Sequence, residues 1–259
     1  MVWKVDRELA VLLASGPRAL LLQVAHPLVA AGVIDHSRFE TDPLGRLHGT
    51  LDAIYSFAFA DRARAAARVR AVTQRHGHVR GSLAEACGAH PAGAGYSALD
   101  PELLLWVYST LIDSSLLAYD TFVRPLTPRE RDDYYQEMRR QGGVWNIPAA
   151  VFPASLLELR RWMDEQIASG QVAVSAQARR IARRILAPPV RWLPRASFAP
   201  LALVAVGLLP EPLRVGFGYR WGARRQLALE RAAALSRAVV PRLPAALRDV
   251  PWARAAHAA

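Results

Sequence analysis

Residues 19–33 form an apolar run, ALLLQVAHPLVAAGV, that is hydrophobic nearly all the way round a helix. A helix with no polar face must be covered on every side, so the rest of the chain has to wrap it. We therefore expect residues 17–33 to be a buried helix. Pro27 should kink it or break a hydrogen bond near its middle. The run is too short and too interrupted by Gln23, His26 and Pro27 to cross a bilayer, and the later run at 198–209 is broken by Pro200 and Gly207.

Proline and glycine punctuate the remainder into helical segments, and no alternating strand pattern is visible. Residues 5–14 read as a short amphipathic helix. Asp42-Pro43 is a cap-then-proline helix start, and the pattern runs on, with room for a break, to residue 79. Residues 81–98 read as a loop. Asp100-Pro101 opens a long helix to residue 122, and Thr127-Pro128 opens another to about residue 141. Further helices fit 154–169, 173–186 and 214–239. With 52% hydrophobic and 21% charged residues over 259 positions, and no linker, repeat or low-complexity tract, this is a single all-α domain over residues 1–259, a helical bundle.

The formal net charge is +11, carried by arginine with Lys4 the sole lysine. Together with heavy alanine use this points to a GC-rich coding bias, so part of the arginine content is compositional. Arg179, Arg180, Arg183 and Arg184 cluster on one helix face opposite Ile181, Ile185 and Leu186. That pattern reads first as a solvated face and second as a peripheral contact with an anionic membrane. No nucleic-acid-binding signature accompanies it. Cys87 is the one cysteine, so no internal disulfide can form. The amino-terminal residues do not resemble a signal peptide, and the expected location is a bacterial-type cytoplasm, free or peripheral to the membrane.

The candidate chemistry lies in histidines. Val69, Val72, His76 and Val79 are spaced 3, 4 and 3 apart, which places His76 on an apolar stripe, with His78 on the opposite side. Two readings of His76 stay open on this pattern: a core imidazole bonded to a carbonyl, or a metal or haem ligand. His26 and Gln23, one turn apart in the apolar run, need partners and could satisfy each other. Arg46 and Thr50, at i,i+4, form a candidate carboxylate clamp. His36 reads as local turn chemistry. Zinc, di-iron, nucleotide and serine-hydrolase motifs are missing. An imidazole, an apolar wall and a cationic clamp suit a haem.

The segments RALLLQVAHPLVAAGVIDHSRF, DPLGRLHGT, HGHVRG and YSALDPELLLWVYSTLIDSSLLAYDTFVRPL, with LLPEPLRVGFGYRW and LPAALRDVPWARA behind them, resemble in order the latex-clearing rubber oxygenase and MpaB-type oxygenase family. The resemblance spans roughly residues 3–255. It implies an all-helical fold with a globin-like helical core around a haem pocket, haem b as cofactor, and oxidative cleavage of a C=C bond with O2. It makes His76, three residues before Val79-Arg80-Gly81, the proximal haem and metal ligand. It assigns haem binding to Arg46 and Thr50. His26 is our candidate for the distal group that steers oxygen. Gly49 stands where rubber-cleaving members carry lysine, and Tyr108 where many members carry histidine. With no export signal expected, a small apolar, isoprenoid-like substrate is expected rather than polymer. Two other classes remain: a non-catalytic haem- or lipid-binding protein, and a membrane-surface interaction protein.

Overall fold

The computed structural model describes residues 1–37, 45, 49, 52, 55, 59, 62–190 and 193–258. Helix dominates, as expected. After α1 (Val2–Asp6), helix α2 (Leu9–Ala25) runs straight through Pro17, so the expected split between residues 14 and 17 is not there. Pro17 removes a hydrogen bond to the Leu13 carbonyl, and Leu13 is half exposed, where water can replace it. The chain does break at Pro27. Proline pushes the residue before it out of helical space, and His26 is extended, with ψ of 121°. Helix α3 (Pro27–His36) leaves α2 at 100°.

Helix α4 (Arg62–Gly77) follows. The expected loop at 81–98 holds a small antiparallel pair, β1 (Arg80–Ser82) and β2 (Gly95–Ser97), with Gly81 opposite Tyr96. Three-residue glycine-containing strands carry no alternation to read. Gly81 is required there: a Cβ would lie 2.5 Å from the Tyr96 hydroxyl. Helix α5 (Pro101–Phe122) starts on the Asp100 cap, whose carboxylate accepts from the Glu102 and Leu103 amides. Helix α6 (Pro128–Gly142) starts on a capping box of Thr127 and Glu130. Then come α7 (Leu156–Ala168), α8 (Ala176–Leu186), α9 (Ala199–Gly207) and α10 (Glu211–Gly216). The expected helix 214–239 is divided: Gly218, with φ of 80°, turns the chain between α10 and α11 (Ala223–Val239). Two short helices, α12 (Ala245–Arg248) and α13 (Pro251–Ala258), end the chain.

Helix α2 is the centre, packed on α5 and flanked by α3, α8 and α9. Its two long polar side chains, Arg18 and Gln23, are answered by α5 and its neighbours. Gln23 donates to Thr110 Oγ1 at 3.1 Å, and Trp106 Nε1 donates to the Leu22 carbonyl at 3.1 Å. Arg18 is 3% exposed and donates to Ser114 Oγ, Asp113 Oδ2 and the Leu208 carbonyl. Arg160 holds the other Asp113 oxygen at 3.2 Å. Burial pushes the Asp113 carboxyl up, but the two arginines outweigh it and hold it below its ordinary range. Removing one partner of a buried ion pair leaves the other charge desolvated and uncompensated. Arg18→Ala should therefore lower stability by about 3 kcal/mol, measured as a fall in the urea midpoint at constant slope.

Candidate functional site

The break between α2 and α3 puts His26 at the amino-terminal cap of α3, where the side chain makes no capping bond. The ring is 5% exposed, and Nδ1 is buried without a hydrogen-bond partner among the described residues. The expected bond between Gln23 and His26 side chains does not form, because Gln23 has turned to Thr110. His26 instead faces two rings: His90, with centroids 5.2 Å apart, and Trp106, at 6.4 Å. Burial, and secondarily His90, push the His26 imidazole down from its ordinary 6.5 to about 3. The ring is therefore neutral at physiological pH, with one nitrogen able to donate and one to accept.

His90 was not singled out by sequence reasoning. It sits in the glycine-rich stretch between β1 and β2 and is held there by backbone contacts. His90 Nε2 lies 3.0 Å from the Gln171 carbonyl, the Ala89 amide donates to Gly170, and Cys87 Sγ reaches the Ala173 carbonyl at 3.6 Å. Gly88, with φ of 57°, lets this loop press against the turn before α8; a Cβ there would meet the Gly170 carbonyl oxygen at 2.2 Å. The proximity of His90 to His26, 64 residues apart in sequence, is set by this docking, and no local pattern encodes it.

His76 lies in the last turn of α4 and is half-buried, while His78 is exposed, in the order the apolar stripe predicts. Three residues on, Val79 packs into a satellite core with Leu28, Ala31, Leu83, Tyr96 and Leu103. The β1–β2 pair that follows α4 is tied to α3 by two further bonds. His36 Nε2 pairs with the Arg80 carbonyl at 3.0 Å, so His36 bridges elements rather than serving a local turn. Tyr96 donates to Asp35 Oδ2 at 2.6 Å. Leu28, two residues after His26, belongs to the same cluster. The segments bearing His26 and His76 thus converge on one small apolar core.

Arg46 and Thr50 lie outside the described residues. Gly49, between them, is exposed, and a Cβ there would meet nothing within 4 Å among the described residues. Tyr108 is a structural residue: its hydroxyl donates to the Met138 carbonyl at 2.9 Å and its ring meets Phe152 edge-on. A cleft of about 320 Å³ between α5, α9 and α11 is lined by Thr121, Leu208, Leu229 and Arg237, and by none of the predicted site residues. Among the described residues no three or more His, Cys, Asp or Glu side chains are grouped to hold a metal ion. A haem asks less of the protein, since one imidazole suffices as axial ligand.

The sequence profile described as "ER-bound oxygenase mpaB/B'/Rubber oxygenase, catalytic domain" matches residues 3–238. The chain belongs to this oxygenase family. No curated protein and no solved structure matches it significantly. The family match covers α1 to α11 almost whole, including the α2–α3 break and the end of α4. It makes the chain an oxygenase-type catalytic domain and an oxidoreductase by family.

The His26 shift has a consequence for stability. The ring binds a proton near pH 6.5 when unfolded and only near pH 3 when folded, so between those values the unfolded state takes up more protons. Stability falls as pH drops from 6.5 towards 3, by a few kcal/mol in all (roughly 1.4 per pH unit). His26→Gln should flatten that slope in urea unfolding followed across the same window.

Proposed function

We propose that this chain is a haem-b-dependent oxygenase that cleaves the C=C bond of a small apolar, isoprenoid-like substrate with O2. The observation that carries this reading is the buried, neutral His26 ring whose Nδ1 has no partner among the described residues, two residues before Leu28 of the small core into which Val79, three residues after His76, also packs. A buried polar atom without a partner is costly unless something in the working protein answers it.

In this reading His76 would hold the haem iron through its imidazole, and Arg46 and Thr50 would hold the propionates, the arginine by charge and the threonine by a hydrogen bond. When bound, the haem supplies dioxygen activation at its iron. His26 stays unprotonated because burial disfavours its cation, so it can donate one hydrogen bond to dioxygen without delivering a proton that would divert the chemistry. Leu28 and Ala31 and their neighbours exclude water and hold an alkene by apolar contact. Both oxygen atoms end in the two product carbonyls, so the overall cleavage balances without an external reductant.

The test is incubation of haem-supplied protein with a farnesyl-type alkene under isotopically heavy dioxygen, with products read by mass spectrometry. Two carbonyl fragments, each carrying one labelled oxygen, are expected, and His26→Phe should lower kcat by about a hundredfold. Uncleaved alkene, or carbonyl fragments that carry no label when trapped by reduction before exchange with water, would refute the proposal and leave a haem- or lipid-binding protein in its place.

A further inference from the structure

The charge of this chain is not spread along it. Residues 1–175 hold 18 basic and 19 acidic residues, whereas residues 176–259 hold 15 arginines against Glu211, Glu230 and Asp249. The whole positive excess lies in the last third. Helix α11 is the most exposed long element of that third. Of its 17 residues only Leu229 and Ala233 are buried. Its inner side is fixed to the end of α5, where Ser236 Oγ donates to the Phe122 carbonyl and Arg237 to the Thr121 carbonyl, both at 2.7 Å.

Helical geometry sets Arg224, Leu227, Arg231, Leu235 and Ala238 on the side opposite Leu229 and Ala233. All five are exposed, Leu227 at 46% and Leu235 at 67%. No acidic side chain pairs with Arg224 or Arg231 among the described residues. Glu230, the single acid of the helix, takes a hydrogen bond from Gln226. Leucine and arginine therefore alternate along one outward strip. The turn before α11 adds Arg220, whose carbonyl accepts from Arg225 in the first turn of the helix, and Arg179 of α8 adjoins the region by donating to the Gly216 carbonyl at 2.8 Å.

We propose that the outward face of α11 is a docking surface for an anionic lipid membrane, on which the helix lies in the plane of the interface. Leucines enter the headgroup–acyl boundary, and the arginines keep their stems along it with their heads at the phosphates. Among the described residues no single helix is long and apolar enough to span a bilayer, so this contact is peripheral. The charge chooses among partners. A second copy would bring the same arginines face to face. A nucleic acid would meet the arginines but leave Leu227 and Leu235 in water.

The experiment is co-sedimentation of the whole chain with vesicles of phosphatidylcholine alone and of phosphatidylcholine with about one-third phosphatidylglycerol. Wild type should bind the anionic vesicles and leave the neutral ones. Arg224→Glu with Arg231→Glu should weaken binding about thirtyfold or more, at roughly a factor of five for each arginine. Leu227→Ser with Leu235→Ser should weaken it at low and high salt alike, which a purely electrostatic contact would not show. Unchanged helical circular dichroism in both double variants, whose altered residues are exposed, confirms that the fold is retained. Failure to bind anionic vesicles overturns the proposal, as does binding by either double variant that equals wild type. Binding to a DNA duplex but not to vesicles overturns it in favour of nucleic acid. A concentration-dependent dimer abolished by the leucine substitutions overturns it in favour of self-association.

Discussion

The packing of α2 against α5 is the constraint on which the other elements depend. A helix that is apolar all round has no stable place except inside, and its few polar side chains must then find partners on whatever covers it. Helix α5 supplies them, at Thr110, Asp113 and Ser114, with Trp106 reaching back to the α2 backbone. These bonds fix one antiparallel register between the two helices. Once α2 is set, Pro27 decides where the chain must leave it, and α3 departs at 100° to build the smaller core that Val79, the β1–β2 segment and Leu103 of α5 complete.

That departure links fold to chemistry. Ending a buried helix at a proline strands the preceding residue between two helices, and here that residue is a histidine. Its backbone amide is satisfied by the Gln23 carbonyl, while its Nδ1 has no partner among the described residues. The site is then closed from the other side by the loop carrying His90, whose position depends on the close approach of Gly88 to Gly170. Stability and site are therefore coupled at one point: the same burial that favours α2 keeps the His26 ring neutral.

Much of this was legible in the residues. Cap-then-proline pairs gave the starts of α5 and α6 correctly, because an Asp or Thr cap and a first-turn proline act locally. The apolar stripe through His76 correctly ranked it more buried than His78. What failed depended on distant parts of the chain. Continuity of α2 through Pro17 rests on solvent at Leu13. The division of the 214–239 segment rests on Gly218 adopting φ of 80°. Gln23 found Thr110 across the core rather than His26 on its own helix, and His90 reached His26 through a loop whose short strands have no periodicity. Arg46 and Thr50 rest on the family resemblance.

The central claim is that His76 is the ligand of a haem, and an absorption spectrum tests it most directly. Protein produced with haem supplied should show a Soret band in the wild type, and His76→Ala should lose or strongly shift it. Wild type without a Soret band, or a His76→Ala spectrum identical to wild type, would contradict the account.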